Sequence, residues 1–450
     1  MANQDLRSFL QKARQAGEVV EIKKPTSPRF AMPAVVAKLE EMQRYPVVYF
    51  ARPEGSEMPV LTNVFASRRR LAMALGCGES SLNAVFRERE DRLTKPVLVP
   101  SGPCQEVVIP GAEVDLKSLP VITHNEKDAG PYITAGAMVV RDPETGIRNI
   151  GMYRHMIHDR NKMGIHMAET SHITYIFEKY LHKGQPMPVA ITIGHHPAFY
   201  LGVLSIVPLG IDEYEVVGGL FGEPLELVKA KTVDLEVPAA AEIILEGYIT
   251  PGEERPEAPF GEYTTLYGAQ RINPVVTVTT ITHRADAIFF DCLSGHIDQQ
   301  LLGGTSRLSV IYKNVRATCP TVRDVYMPPS GCCRFTCYIS IKKRHEGEAK
   351  NAMAAALASD PFIKYVVVVD EDVNIFDDGA VLKAMATRLR PEEDVFFIRG
   401  AKGHPLDPTA QKGYLVTKVG MDATKPLSGY PETVRVPGQE QVRLEDLGIS

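Results

Sequence analysis

Apolar and polar residues alternate in the middle of the chain. Residues 275–282 (V-V-T-V-T-T-I-T) come close to strict alternation, which is typical of a β-strand with one buried face. Apolar runs at residues 132–140, 189–193 and 287–292 predict further strands in the same section. A β-barrel or a half-open sheet is the natural closure for such a set of strands.

The two ends of the chain mix helical and strand patterns. Before residue 100, residues 31–42 have helical spacing and residues 47–50 form a short apolar run, which indicates an α/β region. Beyond residue 300, the pattern predicts a strand at 337–342 and a helix at 348–358. The β-branched run K-Y-V-V-V-V-D-E-D-V, a helix near 381–389 and the strand D-V-F-F-I then predict one βαβ unit.

Composition is that of a folded protein with two or three domains. The chain has 450 residues, of which 44% are hydrophobic and 23% charged. Fifty basic and 55 acidic residues leave a net charge of -5 without a long basic run, which argues against a nucleic-acid partner. No apolar run approaches the length of a membrane span, and residues 1–14 predict a charged amphipathic helix rather than a signal peptide. We therefore expect a cytoplasmic protein.

Several common sites are not indicated. The cluster Cys332, Cys333 and Cys337 lacks the paired C-x-x-C spacing of structural zinc, so the seven cysteines are expected to be free thiols, mostly buried, in a reducing compartment. The sequence has no internal repeat, no Walker loop and no G-x-G-x-x-G. The acidic residues 370–372 are equally consistent with a metal site and with a solvated strand end.

Two carboxylates lie close together in P-E-A-P-F-G-E-Y, residues 256–263. The two prolines lack the N–H groups that a helix interior or a central strand needs, and Gly261 relaxes the backbone, so an irregular loop is predicted. On a regular helix or strand Glu257 and Glu262 would diverge. Taken alone, the segment is most simply an exposed turn with solvated acids.

Three other segments carry side chains suited to a metal. R-N-I-G-M-Y-R offers Asn149 and Arg154, G-I-H-M-A-E-T-S-H offers His166 and His172, and I-D-E-Y-E offers Glu213. An amide oxygen, an imidazole and a carboxylate together suit a divalent cation such as Mn²⁺. A histidine taken singly is more often an ordinary core or surface residue.

Together these segments resemble the UbiD-like family of decarboxylases that depend on prenylated flavin mononucleotide (FMN), in its aromatic and heteroaromatic acid branch. Six motifs carry the resemblance in order along nearly the whole chain: N-I-G-M-Y-R, S-H-I, D-E-Y-E-V-V-G-G-L, D-L-E-V-P-A-A-A-E-I-I-L-E-G-Y-I, P-E-A-P-F-G-E and T-K-V-G-M-D-A-T. The resemblance implies three domains. They are an N-terminal α/β domain at residues 1–115, a split β-barrel that binds prenylated FMN and is related to flavin reductases at 116–300, and a C-terminal α/β domain with an oligomerisation tail at 301–450.

The resemblance also implies roles for particular side chains. Glu262 would be the acid that protonates the product carbon, while Glu257 would pair with Arg154. The irregular P-x-x-P-x-G backbone would let both acids face one cavity. The metal ligands would be Asn149, His172 and Glu213. The residues expected to bind the cofactor are Asn149, Ile150, Gly151, Met152, Tyr153, Arg154, His166, Ser171, His172, Glu213 and Lys418.

The implied reaction is the reversible, non-oxidative decarboxylation of an aromatic or heteroaromatic acid, of the furan or pyrrole carboxylate or hydroxybenzoate type, releasing CO₂. The substrate would be attached covalently to prenylated FMN, because loss of CO₂ from an sp² carbon needs an electron sink. The expected cations are Mn²⁺ or Mg²⁺, with K⁺ in addition. A flavin prenyltransferase would supply the cofactor, and a homodimer or homohexamer is expected.

Specificity is expected to involve residues 294–307. Gln299 and Arg307 would bind a polar or anionic substituent of the substrate, or would instead cap the helix that L-L-G-G interrupts. Two alternative functions stay open from the sequence. One is an FMN-binding, flavin reductase-like oxidoreductase, and the other is a binding or assembly protein on the same scaffold.

Overall fold

The structure, a computed structural model, describes residues 4–169 and 171–447. Its first region mixes helices and strands as the residue pattern predicts. The first helix buries Phe9 and Leu10 on one face, and the Asp5 side chain caps its N-terminus. The elements of this region are α1 (Leu6–Gln15), β1 (Val19–Ile22), α2 (Ala31–Glu41), β2 (Val47–Phe50), β3 (Val60–Thr62), α3 (Arg68–Ala74) and α4 (Leu82–Glu90).

Strands dominate the middle region, where apolar and polar residues alternate. Its strands are β4 (Val97–Leu98), β5 (Val107–Pro110), β6 (Tyr132–Arg141), β7 (Arg148–Ile157), β8 (Lys162–Ile165), β9 (Met187–Ile193), β10 (Glu226–Lys229), β11 (Glu236–Pro238), β12 (Ile243–Glu257), β13 (Phe260–Gly261), β14 (Tyr267–Gly268), β15 (Arg271–His283) and β16 (Phe289–Phe290). Its helices are α5 (His172–Lys183), α6 (Pro197–Val203) and α7 (Glu213–Phe221).

Six of these strands close a barrel. Their order is β12-β9-β6-β7-β8-β15, every neighbouring pair is antiparallel, and β15 pairs with β12 to complete the ring. Strand β5 adds to the outside of β15. The predicted fold class, a β-barrel between α/β regions, is confirmed.

One predicted strand belongs elsewhere. The apolar run at residues 287–292 forms only the short strand β16, which pairs in parallel with β3 in the sheet β1-β2-β3-β16. The run is nearly fully buried, so its apolar character is explained without barrel pairing. The partner of a buried strand is chosen by tertiary packing, which a local pattern does not encode.

The prediction of an irregular loop over residues 256–263 is wrong at its start. Strand β12 continues through Pro256 and Glu257, which pair with Ile272 and Arg271 of β15. Beyond Ile249, β12 is no longer paired with β9. Pro256 therefore lies where β12 has β15 as its only partner in the described barrel, and an edge strand tolerates a residue without an N–H group.

The last region packs helices on a five-stranded sheet of order β17-β18-β19-β21-β20. Strand β18 and strand β19 are parallel and are connected through α10, so they form the βαβ unit. The unit predicted from the run K-Y-V-V-V-V to D-V-F-F-I is wrong, because β21 lies between β19 and β20, and β20 is antiparallel to β21. The elements are α8 (Ile297–Thr305), α9 (Leu308–Thr318), β17 (Val322–Tyr326), β18 (Thr336–Ile341), α10 (Glu348–Ser359), β19 (Tyr365–Asp370), α11 (Asp378–Arg388), α12 (Pro391–Asp394), β20 (Val395–Lys402) and β21 (Leu415–Ala423).

Other sequence expectations are resolved by the same structure. All seven cysteines are unpaired, and five of them are buried. The acidic strand end is an ion-paired surface, because Arg388 binds Asp370 at 2.7 Å and Asp372 at 3.1 Å. Within residues 4–169 and 171–447, no helix has the length and apolar character needed to cross a membrane.

Candidate active site

A cavity of about 300 Å³ lies beside the barrel strand β7. Met152, Tyr153 and Arg154 of this strand contribute to its wall, and the C-terminal region contributes the helix α8 and Arg334. The charged and polar side chains that line it are Thr134, Arg154, His166, Ser171, Glu262, Gln299 and Arg334. The cavity therefore combines two arginines, one carboxylate and an imidazole.

Arg154 joins the two acids of the P-E-A-P-F-G-E segment. Its Nε and Nη2 donate to the two carboxylate oxygens of Glu257 at 2.9 Å each, while Nη1 donates to Glu262. Asn273 Nδ2 donates a further hydrogen bond to Glu257 at 3.0 Å. Glu257 is wholly inaccessible to solvent. The three residues thus form one buried ion-paired cluster, with Glu262 as its cavity-facing member.

The backbone between the two acids turns sharply to bring them together. Ala258 has a φ of 70°, a left-handed conformation that a residue with a Cβ rarely adopts, and its N–H donates to the Tyr132 hydroxyl. Phe260 and Gly261 then form the short strand β13. A Cβ on Gly261 would lie 2.2 Å from Asn125 Nδ2, so a side chain at this position would displace Asn125.

The pKa values of Glu262 and Arg154 are both shifted in this cluster. Burial raises the pKa of the Glu262 carboxyl, against the opposing charge of Arg154. For Arg154, burial lowers the pKa, but the charges of Glu262 and Glu257 outweigh it and raise the pKa above its usual value. The guanidinium is therefore always charged, whereas Glu262 changes its protonation state more readily than an exposed glutamate at neutral pH.

His166 lines the same cavity as a neutral imidazole. Burial, followed by the charge of Arg154, lowers its pKa to about 4. Its Nδ1 lies 3.4 Å from the Nδ2 of Asn273, the residue that also supports Glu257. His166 can therefore offer a hydrogen bond to a ligand without adding charge to the cavity.

Asn149 and Glu213 are brought together at the start of β7 and the start of α7. Asn149 Nδ2 donates to Glu213 Oε1 at 2.8 Å, and the Ile150 N–H donates to Glu213 Oε2 at 2.8 Å. Burial raises the pKa of Glu213 to about 8, and Asn149 Oδ1 is buried without a hydrogen-bond partner. A divalent cation would favour the ionised form of this carboxyl group and could also bind the unpaired carbonyl oxygen of Asn149.

His172, the third predicted ligand, lies at the first residue of α5 and is half-buried. Burial lowers its pKa, so the imidazole is neutral and able to bind a metal. The described residues show no hydrogen bond from His172 to Asn149 or Glu213, and no group of three His, Cys, Asp or Glu side chains among them could hold a metal. The predicted ligands Asn149, His172 and Glu213 are not a group of this kind, because Asn149 would contribute an amide oxygen.

Lys418 and Arg307 lie outside the cavity wall. Lys418 is buried in β21, where its Nζ donates to the backbone oxygens of Leu357 at 2.7 Å and Asp360 at 3.0 Å at the end of α10. Arg307 forms an ion pair with the carboxylate of Asp360. Both cations therefore stabilise the same helix end in the described structure, because unpaired C-terminal carbonyls and a buried carboxylate attract them.

Gln299 lies at the cavity and is also part of a turn. Its Oε1 accepts hydrogen bonds from Ser294 Oγ and the Gly295 N–H, both at 3.0 Å. These bonds use the acceptor oxygen of the amide and hold the turn that precedes α8. The amide donor Nε2 is not used in those bonds, and Gln299 lines the cavity.

The sequence interpretation missed Arg334 and the apolar cavity residues Phe260 and Leu302. Phe260 packs under the Arg154 guanidinium, with the ring centroid 5.0 Å from Cζ. Arg334 follows the cysteines in G-C-C-R-F, a segment considered only for its thiols. The adjacent glycines Gly303 and Gly304 of α8 were a signal that another segment packs closely against this helix. In the structure that segment contains Cys333 and Arg334.

Known proteins resemble this chain over nearly its whole length. The chain matches three domains of 3-octaprenyl-4-hydroxybenzoate carboxy-lyase in order: the N-terminal domain at residues 10–89, the Rift-related domain at 96–297 and the C-terminal domain at 300–423. It is 35% identical over 435 residues to the anhydromevalonate phosphate decarboxylase of Methanothermobacter thermautotrophicus, covering 97% of this chain and 100% of that relative.

Solved structures agree in fold over nearly the whole length. The UbiD-class enzyme HmfF from Pelotomaculum thermopropionicum in complex with FMN has a TM-score of 0.94 at 37% identity, covering 98% of this chain and 99% of that chain. An evolved dimeric form of HmfF in complex with prFMN has a TM-score of 0.91 at 36% identity over the same shares. The closed form of Sedimentibacter hydroxybenzoicus vanillic acid decarboxylase has a TM-score of 0.86 at 31% identity, covering 99% and 98%.

The fold and the matched domains define a carboxy-lyase. The chain belongs to the UbiD family. The family resemblance inferred from the six motifs is therefore confirmed.

Proposed function

We propose that this carboxy-lyase removes CO₂ reversibly from an acid whose carboxyl group is attached to an sp² carbon, with Glu262 as the proton donor to that carbon. The proposal rests on the different hydrogen bonding and cavity exposure of Glu257 and Glu262. Glu257 is held by two hydrogen bonds from Arg154 and one from Asn273, whereas Glu262 has one from Arg154 and lines the cavity.

This arrangement assigns different tasks to the two acids. Glu257 keeps the Arg154 guanidinium in place and is too enclosed to reach a substrate. Glu262, with its raised pKa, gives a proton to the carbon when CO₂ leaves and takes it back in the reverse direction. Arg154 Nη1 stabilises the carboxylate that Glu262 then becomes.

The cofactor proposed is prenylated FMN, which the neighbouring enzyme HmfF binds in one of its structures. When bound, it supplies an electron sink for the electron pair that departing CO₂ leaves on the carbon. Asn149, His172 and Glu213 would hold a Mn²⁺ or Mg²⁺ ion. The buried, unpartnered Asn149 Oδ1 and the enclosed Glu213 carboxylate fit that assignment. Lys418 is not proposed as a cofactor ligand, because both of its hydrogen bonds go to the end of α10.

The proposed substrate is an aromatic or heteroaromatic acid. The cavity is small and is partly walled by Met152, Phe260 and Leu302, which suits a planar apolar ring. Gln299 offers its amide donor for a ring substituent or heteroatom. Homo-oligomer formation and a cytoplasmic location stay predictions from the sequence.

The experiment compares Glu262→Gln with Glu254→Gln, an exposed acid on the preceding strand β12. A panel of 2-furoate, pyrrole-2-carboxylate, 4-hydroxybenzoate and cinnamate is scored by CO₂ release and by deuterium exchange into the product. Because a positioned acid contributes about 10² to 10⁴ in rate, Glu262→Gln should lose at least 100-fold and keep its flavin. Normal turnover by Glu262→Gln would overturn the assignment.

A further inference from the structure

Arg334 is a buried cation that the assigned chemistry does not use. It lies between the Cys332–Cys333 pair and strand β18, and it lines the cavity together with Glu262 and Gln299. Cys332 and Cys333 have φ values of 56° and 50°, left-handed conformations that are unfavourable for residues with a Cβ. The chain adopts two such conformations in succession immediately before the residue that reaches the cavity.

Among the described residues, Arg334 has no carboxylate within ion-pair distance, unlike Arg70 and Arg154. Arg70 is paired with Glu18, and Arg154 with Glu257 and Glu262. In the part of the chain that the structure describes, the hydrogen bonds of Arg334 come from Nη1 alone and go to the backbone oxygens of Gln300 and Cys333. A buried guanidinium without an anion is unfavourable, so its remaining N–H groups are available to a ligand.

Burial lowers the pKa of Arg334 to about 10, and the charge of Arg307 adds to this effect. Arg334 is still protonated at neutral pH. The nearby aromatic ring of Tyr263, centred 5.2 Å from Cζ, offers partial compensation for the charge. An anion in the cavity would compensate for it more fully, because charge-assisted hydrogen bonds to a guanidinium are strong and can be bidentate.

The Arg334 guanidinium packs against Gly303 of α8. A Cβ on Gly303 would lie 1.8 Å from Arg334 Nη2 and 2.8 Å from Cζ, so any other residue would displace the side chain. Gly303 also lines the cavity. The missing side chain of Gly303 therefore leaves the space at the cavity wall that the Arg334 guanidinium occupies.

We propose that Arg334 binds a second anionic group of the substrate, a carboxylate or a phosphate, at the end of the cavity formed with Gly303 of α8. The proposal rests on the proposed function and specifies the substrate class. Five residues expected to bind the cofactor also line this cavity, whereas Asn149 and Glu213, which would hold the metal, are not among its described lining residues. A ligand on the substrate is favoured because Arg334 lines the cavity together with Glu262 and Gln299, the two residues proposed to act on the substrate. The second anionic group takes the place of the partner that Arg334 lacks.

The test compares matched acids that differ by one anionic group. The pairs are 2-furoate with furan-2,5-dicarboxylate, and anhydromevalonate with anhydromevalonate phosphate. Arg334→Gln should lower the preference for the dianion, measured as the ratio of kcat/KM values within a pair, by about 10- to 100-fold. A preference in the first pair identifies a carboxylate as the group bound, and a preference in the second identifies a phosphate.

Two further variants and a binding measurement complete the design. Arg334→Lys should keep part of the preference, and Arg316→Gln, an exposed arginine on α9, should keep all of it. Calorimetric titration with both dianions measures binding even if the panel is not turned over, which separates failure of this proposal from failure of the proposed decarboxylation. Equal dianion affinity in wild type and Arg334→Gln, or no dianion binding by wild type, would overturn the proposal. So would loss of flavin from Arg334→Gln, which would assign the residue to the cofactor.

Discussion

The Arg154 guanidinium binds Glu257 side-on, with Nε and Nη2 donating to its two carboxylate oxygens at 2.9 Å each. This leaves one nitrogen, Nη1, for Glu262. The same cation therefore fixes one acid and leaves the other able to exchange a proton. Glu257 comes from the end of the barrel strand β12, and Glu262 follows after the turn at Ala258 and the short strand β13.

The first prediction concerns stability. Glu257→Gln leaves Arg154 without its bidentate partner in a buried place, and loss of one member of a buried ion pair typically costs about 3–5 kcal/mol. Glu262→Gln removes one hydrogen bond at the cavity and should cost less. Denaturant unfolding of the flavin-free proteins should therefore give a lower midpoint for Glu257→Gln than for Glu262→Gln, with Glu254→Gln close to wild type. The reverse order of the two midpoints would contradict the assigned roles.

The second prediction concerns pH. Burial raises the pKa of Glu262, and a proton donor acts in its protonated form. A rate limited by protonation should therefore be highest below this pKa and should fall as the pH rises through it. The steady-state rate of product formation in the decarboxylation direction, measured from pH 5 to 9, should show this fall in wild type and lack it in Glu262→Gln. A wild-type rate that increases throughout this range would contradict the donor role.

The third prediction concerns the metal and the flavin. His172→Ala removes one proposed ligand beside Asn149 and Glu213 and should release both metal and flavin. His182→Ala, an exposed histidine on the same helix α5, is the matched control and should retain both. Metal analysis and the flavin absorption spectrum measure the two contents. Stoichiometric flavin in a metal-free His172→Ala protein would show that the metal does not anchor the cofactor.

The fourth prediction concerns Gln299, whose Oε1 holds the turn at Ser294 and Gly295. If its amide donor also binds the substrate, Gln299→Ala should change the ranking of the acid panel, because a substituent left without its donor is bound less well. Ser294→Ala removes a turn contact without altering the amide donor and serves as control. An unchanged ranking and rate in Gln299→Ala would make this residue purely structural.

Local patterns were sufficient for elements whose character comes from their own residues. The alternation in β15 and the β-branched run in β19 predict strands because side-chain shape and burial act within a few residues. Pairing partners were not predictable in this way. Strand β16 joins the N-terminal sheet and β21 inserts beside β19 through contacts distant in sequence.

The residues of the candidate site were likewise predictable only in part. Glu257 and Glu262 were found because they share one unusual segment and match a family motif. Arg334 was missed because its importance depends on what surrounds it, namely the absence of a carboxylate in the described structure and the space above Gly303. For Arg307 the sequence left a substrate contact and a helix cap open, and in the structure its guanidinium forms an ion pair with Asp360.

Decarboxylation by this protein is proposed to depend on prenylated FMN, and the supply of that cofactor can be controlled during production. The protein is produced with and without a flavin prenyltransferase, and each preparation is assayed for CO₂ release and deuterium exchange with the same acid panel. Protein made with the prenyltransferase should be active, and protein made without it should carry ordinary FMN or no flavin and be inactive, because unmodified flavin lacks the electron sink that the reaction needs. Full activity with ordinary FMN alone would contradict a requirement for the prenylated cofactor.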